Sequence, residues 1–140
     1  MGMYTELVLG VGLKQDEKVL DILRYMLNDS EQCPELPKHA LFETDRWHMM
    51  LVCGSYYFDG HTDSSLQIDN IGVCTLNVRC NLKNYCDEID KFLNWLAPYI
   101  RSHGFIGYTR YEEEDDPLLI YIEDGKIVYR WAETWKERKQ

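Results

Sequence analysis

The sequence lacks the long apolar run and the leader pattern that take a chain into or across a membrane. No stretch approaches the roughly 20 consecutive apolar residues that a transmembrane helix needs. The N-terminus also lacks the basic-then-apolar pattern of a secretory signal peptide. We therefore expect a cytoplasmic protein.

Positive charge is scarce as well. The 140 residues include 15 Lys and Arg against 24 Asp and Glu, which gives a formal net charge of -9. A chain of this charge repels a phosphate backbone unless its basic groups cluster. The composition therefore argues against direct binding of DNA or RNA.

Motifs of the common catalytic classes are missing. The sequence contains no Gly-x-Ser-x-Gly elbow and no His-Glu-x-x-His pair, and Gly10-Val11-Gly12 lacks the rest of a phosphate-binding loop. A cysteine–histidine nucleophile pair would have to be assembled by folding, from His39, His48, His61 or His103. We predict a non-enzymatic protein without a cofactor.

Paired cysteines are absent too. The five cysteines are an odd number, and no two of them form a Cys-x-x-Cys pair. Cys53, Cys74 and Cys80 stand where the pattern requires buried or half-buried apolar residues. We interpret them as small buried hydrophobes in a reducing compartment, not as metal ligands, nucleophiles or disulfide partners.

The clearest pattern that is present runs from residue 74 to residue 100. Residues 74–82 alternate strictly between apolar and polar, which predicts a half-buried strand. Apolar residues then recur at helical spacing, at Ile89, Phe92, Leu93, Leu96 and Ile100. The sequence therefore predicts a strand followed by an amphipathic helix, which Asn84 caps and Gly104 ends.

The chain opens in the same order. Residues 3–13 alternate and predict a strand, in which Gly10 and Gly12 on one face indicate a bulge or a close neighbour. Asp16 is placed to cap a helix with the apolar stripe Val19, Leu20, Leu23, Met26 and Leu27.

The middle of the first half is less regular. Residues 28–45 contain Pro34 and Pro37 without periodicity, which predicts a long surface connection. The apolar run 47–53 and the aromatic run 55–58 predict one or two more strands, and residues 66–71 are a further candidate strand.

The C-terminal third predicts a three-stranded meander. Residues 105–111, 118–122 and 126–131 have strand character, and Asp124-Gly125 between the last two is a strong hairpin signal. The charged residues 132–140 should fray unless Trp135 packs back on the sheet.

These elements predict a single two-layer α+β domain over residues 1–140. Each half has the order strand, helix, strand, strand, and two helices would cover one face of a mainly antiparallel sheet. The other face would stay open, as in ferredoxin-like folds and paired strand-helix-strand-strand effector-binding domains, an analogy of fold alone.

Several stretches together resemble a known group of proteins. They are MYTELVLGV at 3–11, the run 37–47 with FETDRW at its end, SYYF at 55–58, RCNLKNY at 79–85 and YTRYEE at 108–113. The chain resembles small uncharacterised proteins of Firmicutes and of their phages and prophages. The resemblance implies a mobile-element or accessory protein in a bacterial cytoplasm, and it implies no mechanism or site.

Two charged stretches are candidate sites. The run Glu112, Glu113, Glu114, Asp115 and Asp116 could imitate a phosphate backbone, bind a cation or contact a partner protein, or it could be a solvated turn. Asp59, His61 and Asp63 offer an imidazole and two carboxylates to a divalent metal. No further His or Cys follows at ligand spacing, so we predict no metal.

The polar face of the predicted strand 74–82 is a third candidate. Its side chains Asn77, Arg79 and Asn81 are expected near Tyr108, Arg110 and Tyr121 of the meander. Arginine forks, amides and phenols on an open sheet face could hold a small anionic ligand such as a nucleotide. The alternative is an ordinary solvated sheet face.

Two functional hypotheses follow. The first is a small acidic binding protein, such as a phage- or prophage-encoded inhibitor or adaptor that acts on a host protein through residues 112–116. The alternative is a sensor or sponge for a small anionic ligand on the open sheet face. The aromatic content also predicts a homodimer, to which Tyr121, Tyr129 and Trp131 would contribute.

Overall fold

The computed structural model describes residues 4–54 and 62–131, which form an antiparallel sheet with helices. The strands are β1 (Thr5–Leu13), β2 (Ser65–Ile68), β3 (Cys74–Leu82), β4 (Gly104–Tyr111), β5 (Leu118–Glu123) and β6 (Lys126–Trp131). The helices are α1 (Glu17–Met26) and α2 (Glu88–Leu96), with shorter 3₁₀ helices at Ala40–Glu43, Trp47–Val52 and Ala97–Tyr99. The sheet order is β2-β3-β1-β4-β5-β6. The predicted α+β fold is confirmed.

Strand β1 lies at the centre of the sheet. It pairs with β3 on one side and with β4 on the other, so that Leu9 lies opposite Val78 and opposite Gly107. Its alternating pattern places Leu7, Leu9, Val11 and Leu13 on one buried face, called the inner face here. The predicted strand is therefore confirmed, and it is the element on which both halves of the chain meet.

Strand β3 and helix α1 also match their predictions. The inward residues of β3, from Cys74 to Leu82, are buried, and the alternation makes Asn77 and Arg79 exposed. Asp16 caps α1, because its side chain accepts hydrogen bonds from the backbone N–H groups of Lys18 and Val19. The buried stripe of α1 then faces the core.

The prediction of a strand at residues 47–53 is wrong. Trp47–Val52 is a 3₁₀ helix in which Trp47, Met50 and Leu51 are buried. A short apolar run does not distinguish a strand from a buried helical turn, and here the three- and four-residue spacing decides. The predicted order of strand, helix, strand, strand therefore fails in the first half, and the run 55–58 lies outside the described residues.

The predicted ends of α2 need correction. Asp87, in a left-handed conformation with φ 54°, is the N-cap residue, yet Asn84 Oδ1 still accepts the N–H of Ile89 at 3.0 Å. Pro98 ends the α-helix, because it has no N–H to continue the hydrogen-bond ladder. Gly104, with φ 82°, begins β4 and does not end the helix.

The C-terminal meander is confirmed. Strand β4 pairs with β5 and β5 with β6, and the tight turn at Asp124-Gly125 has positive φ at both residues (51° and 74°). These angles are those of a type I′ turn, which fits the twist of the flanking strands. Residues 132–140, with Trp135, lie outside the described residues.

One hydrophobic core joins the apolar stripes of α1 and α2 to the inner face of the sheet. That both helices cover the same side of the sheet stays a prediction. All five cysteines are free, with Cys74 and Cys80 buried, Cys53 half-buried and Cys33 and Cys86 exposed. Burial raises the pKa of the Cys80 thiol, which suits a core residue.

Within residues 4–54 and 62–131, no helix is both long enough and apolar enough to span a bilayer.

Candidate functional site

The acidic run forms the turn between β4 and β5, as the sequence predicts. The N–H of Glu114 donates to the carbonyl of Tyr111 at 2.9 Å, which closes the turn. Glu112 has a structural task, because its carboxylate accepts the N–H of Tyr4 at 2.6 Å at the entrance to β1. The side chains of Glu113, Glu114 and Asp115 are exposed, and Asp116 is half-buried.

A depression of about 320 Å³ adjoins this turn. It is called the acidic groove here, and it holds two carboxylates and one cation. Its lining residues are Thr5, Asn84, Tyr85, Thr109, Arg110, Tyr111, Glu114, Asp116, Leu118 and Trp131. Tyr85 comes from the segment that leads into α2, and Trp131 is the last residue of β6. The groove therefore lies where two elements distant in the sequence meet the acidic turn.

The strand register explains the arrangement of the groove. Thr109 lies opposite Leu118, and Leu118 lies opposite Trp131, so the three side chains stand in one row across β4, β5 and β6. The two aromatic residues are well exposed, with 64% for Tyr85 and 49% for Trp131. The groove thus offers aromatic ring surface beside carboxylates.

The electrostatics of the turn are negative. Desolvation, followed by the carboxylates of Glu113 and Glu112, raises the pKa of the Tyr111 hydroxyl above its ordinary value. In the groove itself, Thr109 Oγ1 is buried without a hydrogen-bond partner in the described part of the chain. The arrangement can therefore accept hydrogen bonds and positive charge from a ligand.

The residues predicted for a sheet-face site lie on the outer face of the sheet. The outer face is the one opposite the inner face that packs against the core. The register places Val8 between Arg79 and Tyr108, and it places Glu6 between Asn81 and Arg110. The structure therefore brings Arg79, Asn81, Tyr108 and Arg110 together around the first half of β1.

Two of the predicted residues stay outside this cluster. Tyr121 lies on β5, where its ring packs against Phe105 at 5.6 Å and under the guanidinium of Arg130 at 4.7 Å. Asn77 lies further along β3, opposite Gly10. A site made of all six predicted residues is therefore not assembled.

Glu6 is the central residue of the outer face, and the sequence analysis missed it. The residue is only 5% exposed, and its carboxylate lies 3.9 Å from Arg110 Nε. The pKa of the Tyr108 hydroxyl is raised, first by burial and then by the negative charge of Glu6. The hydrogen bond from this hydroxyl to the Glu6 carboxylate raises it further. The only sequence signal for this role was that Glu6 is a polar residue on the outer face of β1. The partners of Glu6 depend on the strand order, which the sequence does not reveal.

Asn81 is the second unusual group of this face. The residue is 4% exposed, and its Oδ1 has no hydrogen-bond partner among the described residues. A buried carbonyl oxygen without a donor costs about 1–3 kcal/mol, so a ligand that supplied an N–H or O–H would be favoured here.

The candidate metal ligands are not brought together by the described chain. Asp59 and His61 lie outside the described residues, and Asp63 is exposed with its N–H donating to the carbonyl of Arg79 at 2.9 Å. Within residues 4–54 and 62–131, no group of three or more His, Cys, Asp or Glu side chains could hold a metal ion.

The aromatic residues expected at a dimer interface have separate roles. β6 is an edge strand, and Tyr129 and Trp131 share its inner face, as the alternation predicts. The Tyr129 hydroxyl, however, donates to Asp90 of α2 at 2.8 Å, and Tyr121 points to the outer face. The homodimer stays a prediction, and Trp131 is the residue of this set that lines the acidic groove.

No family model, no curated protein and no solved structure matches the chain. The resemblance to proteins of Firmicutes and their phages therefore stays a prediction.

Proposed function

We propose that this protein is a small non-enzymatic binding protein whose acidic groove takes up a basic segment of a partner protein. One observation carries the proposal: the exposed rings of Tyr85 and Trp131 border the same depression as the carboxylates of Glu114 and Asp116. Neither the aromatic rings nor the acidic turn would make a specific surface alone.

The chemistry of the groove fits lysine or arginine side chains. Their aliphatic stems pack on aromatic rings while their charged heads reach carboxylates, and cation–π contact adds about 0.5–1 kcal/mol at exposed sites. A volume of about 320 Å³ accommodates one or two such side chains. Tyr and Trp are also the residues most enriched at the energetic centres of protein interfaces.

The charge of the whole chain supports the same class of partner. A net charge of -9 attracts a basic surface over a distance and accelerates the encounter. Together with the resemblance to phage and prophage proteins, this favours an inhibitor or adaptor that acts on a host protein in the bacterial cytoplasm.

Capture from a bacterial lysate with two matched double variants tests the proposal. Glu114→Gln with Asp116→Asn removes two charges at the groove, and Glu17→Gln with Asp29→Asn removes two exposed charges elsewhere. We expect the groove variant to lose partners that the wild type and the control variant both retain, and a peptide from such a partner to bind with a Kd that weakens as salt rises. Identical partner sets for all three proteins would contradict the proposal.

A small nucleotide-like ligand on the outer face is the second candidate. The arginines at 79 and 110 suit its anionic group, and the orphan Asn81 Oδ1 suits an N–H donor of a base. The Glu6 carboxylate opposes a simple anion, which places this candidate second. In a thermal-shift screen of nucleotides, Arg79→Ala should abolish any stabilisation by ligand and leave the unliganded Tm nearly unchanged, because Arg79 is exposed.

A further inference from the structure

A second cavity, of about 380 Å³, lies apart from the acidic groove. It is bounded by the first turns of α1, the segment 34–37 and the C-terminal end of α2. Its volume falls within the range of about 300–1,000 Å³ that is usual for small-molecule sites. None of its lining residues belongs to the acidic groove.

The wall of this cavity is apolar and firmly held. Ile22, Leu36 and Trp95 line it, and the Trp95 residue is only 5% exposed. The Trp95 ring is fixed between Phe42 at 5.4 Å and Phe92 at 6.0 Å, and Tyr99 lies one helical turn further at 6.4 Å. A ligand would therefore meet a preformed surface and would not have to order it.

The rim of the cavity is negative. Asp16, Asp21 and Glu35 line it together with one cation, Lys18. The N-terminus of α1 adds about half a positive charge. Arg24, which pairs with Asp21 at 3.1 Å, adds a second cation beside the rim. The three carboxylates then exceed the positive charges by about 0.5 elementary charge, so the rim still favours a cationic ligand over an anionic one.

The three carboxylates differ in the interactions that they already make within the protein. Asp16 Oδ1 caps α1 with hydrogen bonds of 3.1 and 3.3 Å, and Asp21 Oδ1 pairs with Arg24 at 3.1 Å. Glu35 is exposed and stands on the segment beside Leu36, which packs against the core. Glu35 is thus the carboxylate best placed to meet a ligand whose apolar part contacts Leu36 and Trp95.

We propose that this cavity is a binding site for a small organic cation, an alkylammonium or alkylguanidinium compound. Its carbon chain lies against Leu36 and Trp95, and its charged group lies at the rim beside Glu35. The site is independent of the acidic groove, and the two can be tested in the same protein.

The test uses three probes with the same carbon skeleton and different charge. Butylguanidinium, n-butanol and butyrate are titrated into the ¹⁵N-labelled full chain, and the indole N–H signals of Trp95 and Trp131 are followed by NMR. We expect butylguanidinium to shift the Trp95 signal saturably, with an affinity at least several times that for n-butanol and with no effect of butyrate. The Trp131 signal reports the acidic groove and separates the two sites.

A charge-neutralising variant completes the test. Glu35→Gln should weaken butylguanidinium binding about two- to fivefold, as expected for one exposed ion pair, while Glu31→Gln on the same connection should leave it unchanged. Both residues are exposed, so both variants should fold. Equal binding of n-butanol and the cation, a shift at Trp131 alone, or no saturable shift at Trp95 would each overturn the proposal.

Discussion

The two faces of β1 are built from opposite chemistry, although they share one backbone. The inner face presents Leu7, Leu9, Val11 and Leu13 to the core, and every one of them is buried. The outer face presents Glu6, Val8 and two glycines, and Glu6 is buried there among polar side chains. The inner face therefore depends on shape and volume, and the outer face depends on the pairing of charges and hydrogen bonds.

This difference separates stability from recognition. Full burial of a Leu or Val side chain contributes about 1.5–3 kcal/mol, so the inner face is a major source of folding free energy. A buried carboxylate contributes little net stability, because desolvation offsets its attraction to Arg110. A polar cluster of this kind is better explained by a requirement for specificity or for a ligand than by stability.

The largest effect is expected at Gly107 of β4, where the backbone of β1 leaves no room for a side chain. A Cβ on Gly107 would overlap the carbonyl oxygen of Val8 and lie 2.9 Å from Leu9 Cα. Gly107→Ala should therefore force β4 away from β1 and lower the free energy of unfolding by about 3 kcal/mol or more, measured by urea denaturation. Gly125→Ala is the control, because only positive φ opposes it and nothing lies within 4 Å; equal losses in both variants would refute the steric explanation.

The same substitution on both faces tests the comparison directly. Val11 is buried on the inner face and Val8 is half-buried on the outer face of the same strand. We expect Val11→Ala to cost about 2–3 kcal/mol, because it leaves a cavity, and Val8→Ala to cost about 1 kcal/mol or less. Equal costs in chemical denaturation would mean that the outer face is packed as tightly as the core.

A smaller effect is expected at the edge of the inner face, where a polar contact ties α2 to β6. The Tyr129 hydroxyl donates to Asp90 at 2.8 Å, so Tyr129→Phe should lower the free energy of unfolding at pH 7 by about 0.5–1.5 kcal/mol. Burial, followed by the hydrogen bond to Asp90, raises the pKa of Tyr129 in the folded protein. The folded state therefore holds this proton more tightly than the unfolded state does.

The sign of the pH dependence follows from that shift. The stabilisation is complete below the unfolded tyrosine pKa of about 10 and is lost as pH rises above it. Denaturation is measured from about pH 8 to about pH 11, a range that brackets this pKa. The free energy of unfolding should fall with rising pH for the wild type and should fall less steeply for Tyr129→Phe. Asp90→Asn keeps an acceptor and should give an intermediate slope; parallel curves for all three proteins would rule out Tyr129 as the source.

Elements with a strong local pattern could be predicted from the sequence. Strict alternation located β3, the stripe behind Asp16 located α1, and the Asp124-Gly125 pair located the turn between β5 and β6. In each of these elements the local preference and the tertiary environment agree. The acidic turn belongs to the same class, because a run of five carboxylates favours a solvated turn between two strands, and Glu113, Glu114 and Asp115 are indeed exposed.

The predictions failed where contacts between distant parts of the chain determine the structure. The apolar run at Trp47–Val52 could be read as a strand, although Trp47, Met50 and Leu51 already carry the helical spacing. The acidic groove and the cluster around Glu6 depend on which strands are neighbours, and no local pattern contains that information. The acidic half of the groove was therefore predictable, whereas its Tyr85 was not.

The central position of β1 also has a consequence for the order in which the chain folds. The strand lies within the first 13 residues, but both of its partners, β3 and β4, belong to the second half of the sequence. Contacts between such distant segments form slowly, because closing a long loop costs chain entropy before the contacts can stabilise the fold. During synthesis, β1 has neither of its partner strands until β3 and β4 have left the ribosome, and its apolar inner face lacks part of the core that later buries it. The nascent chain is therefore expected to depend on chaperones for that interval more than the stability of the finished fold would suggest.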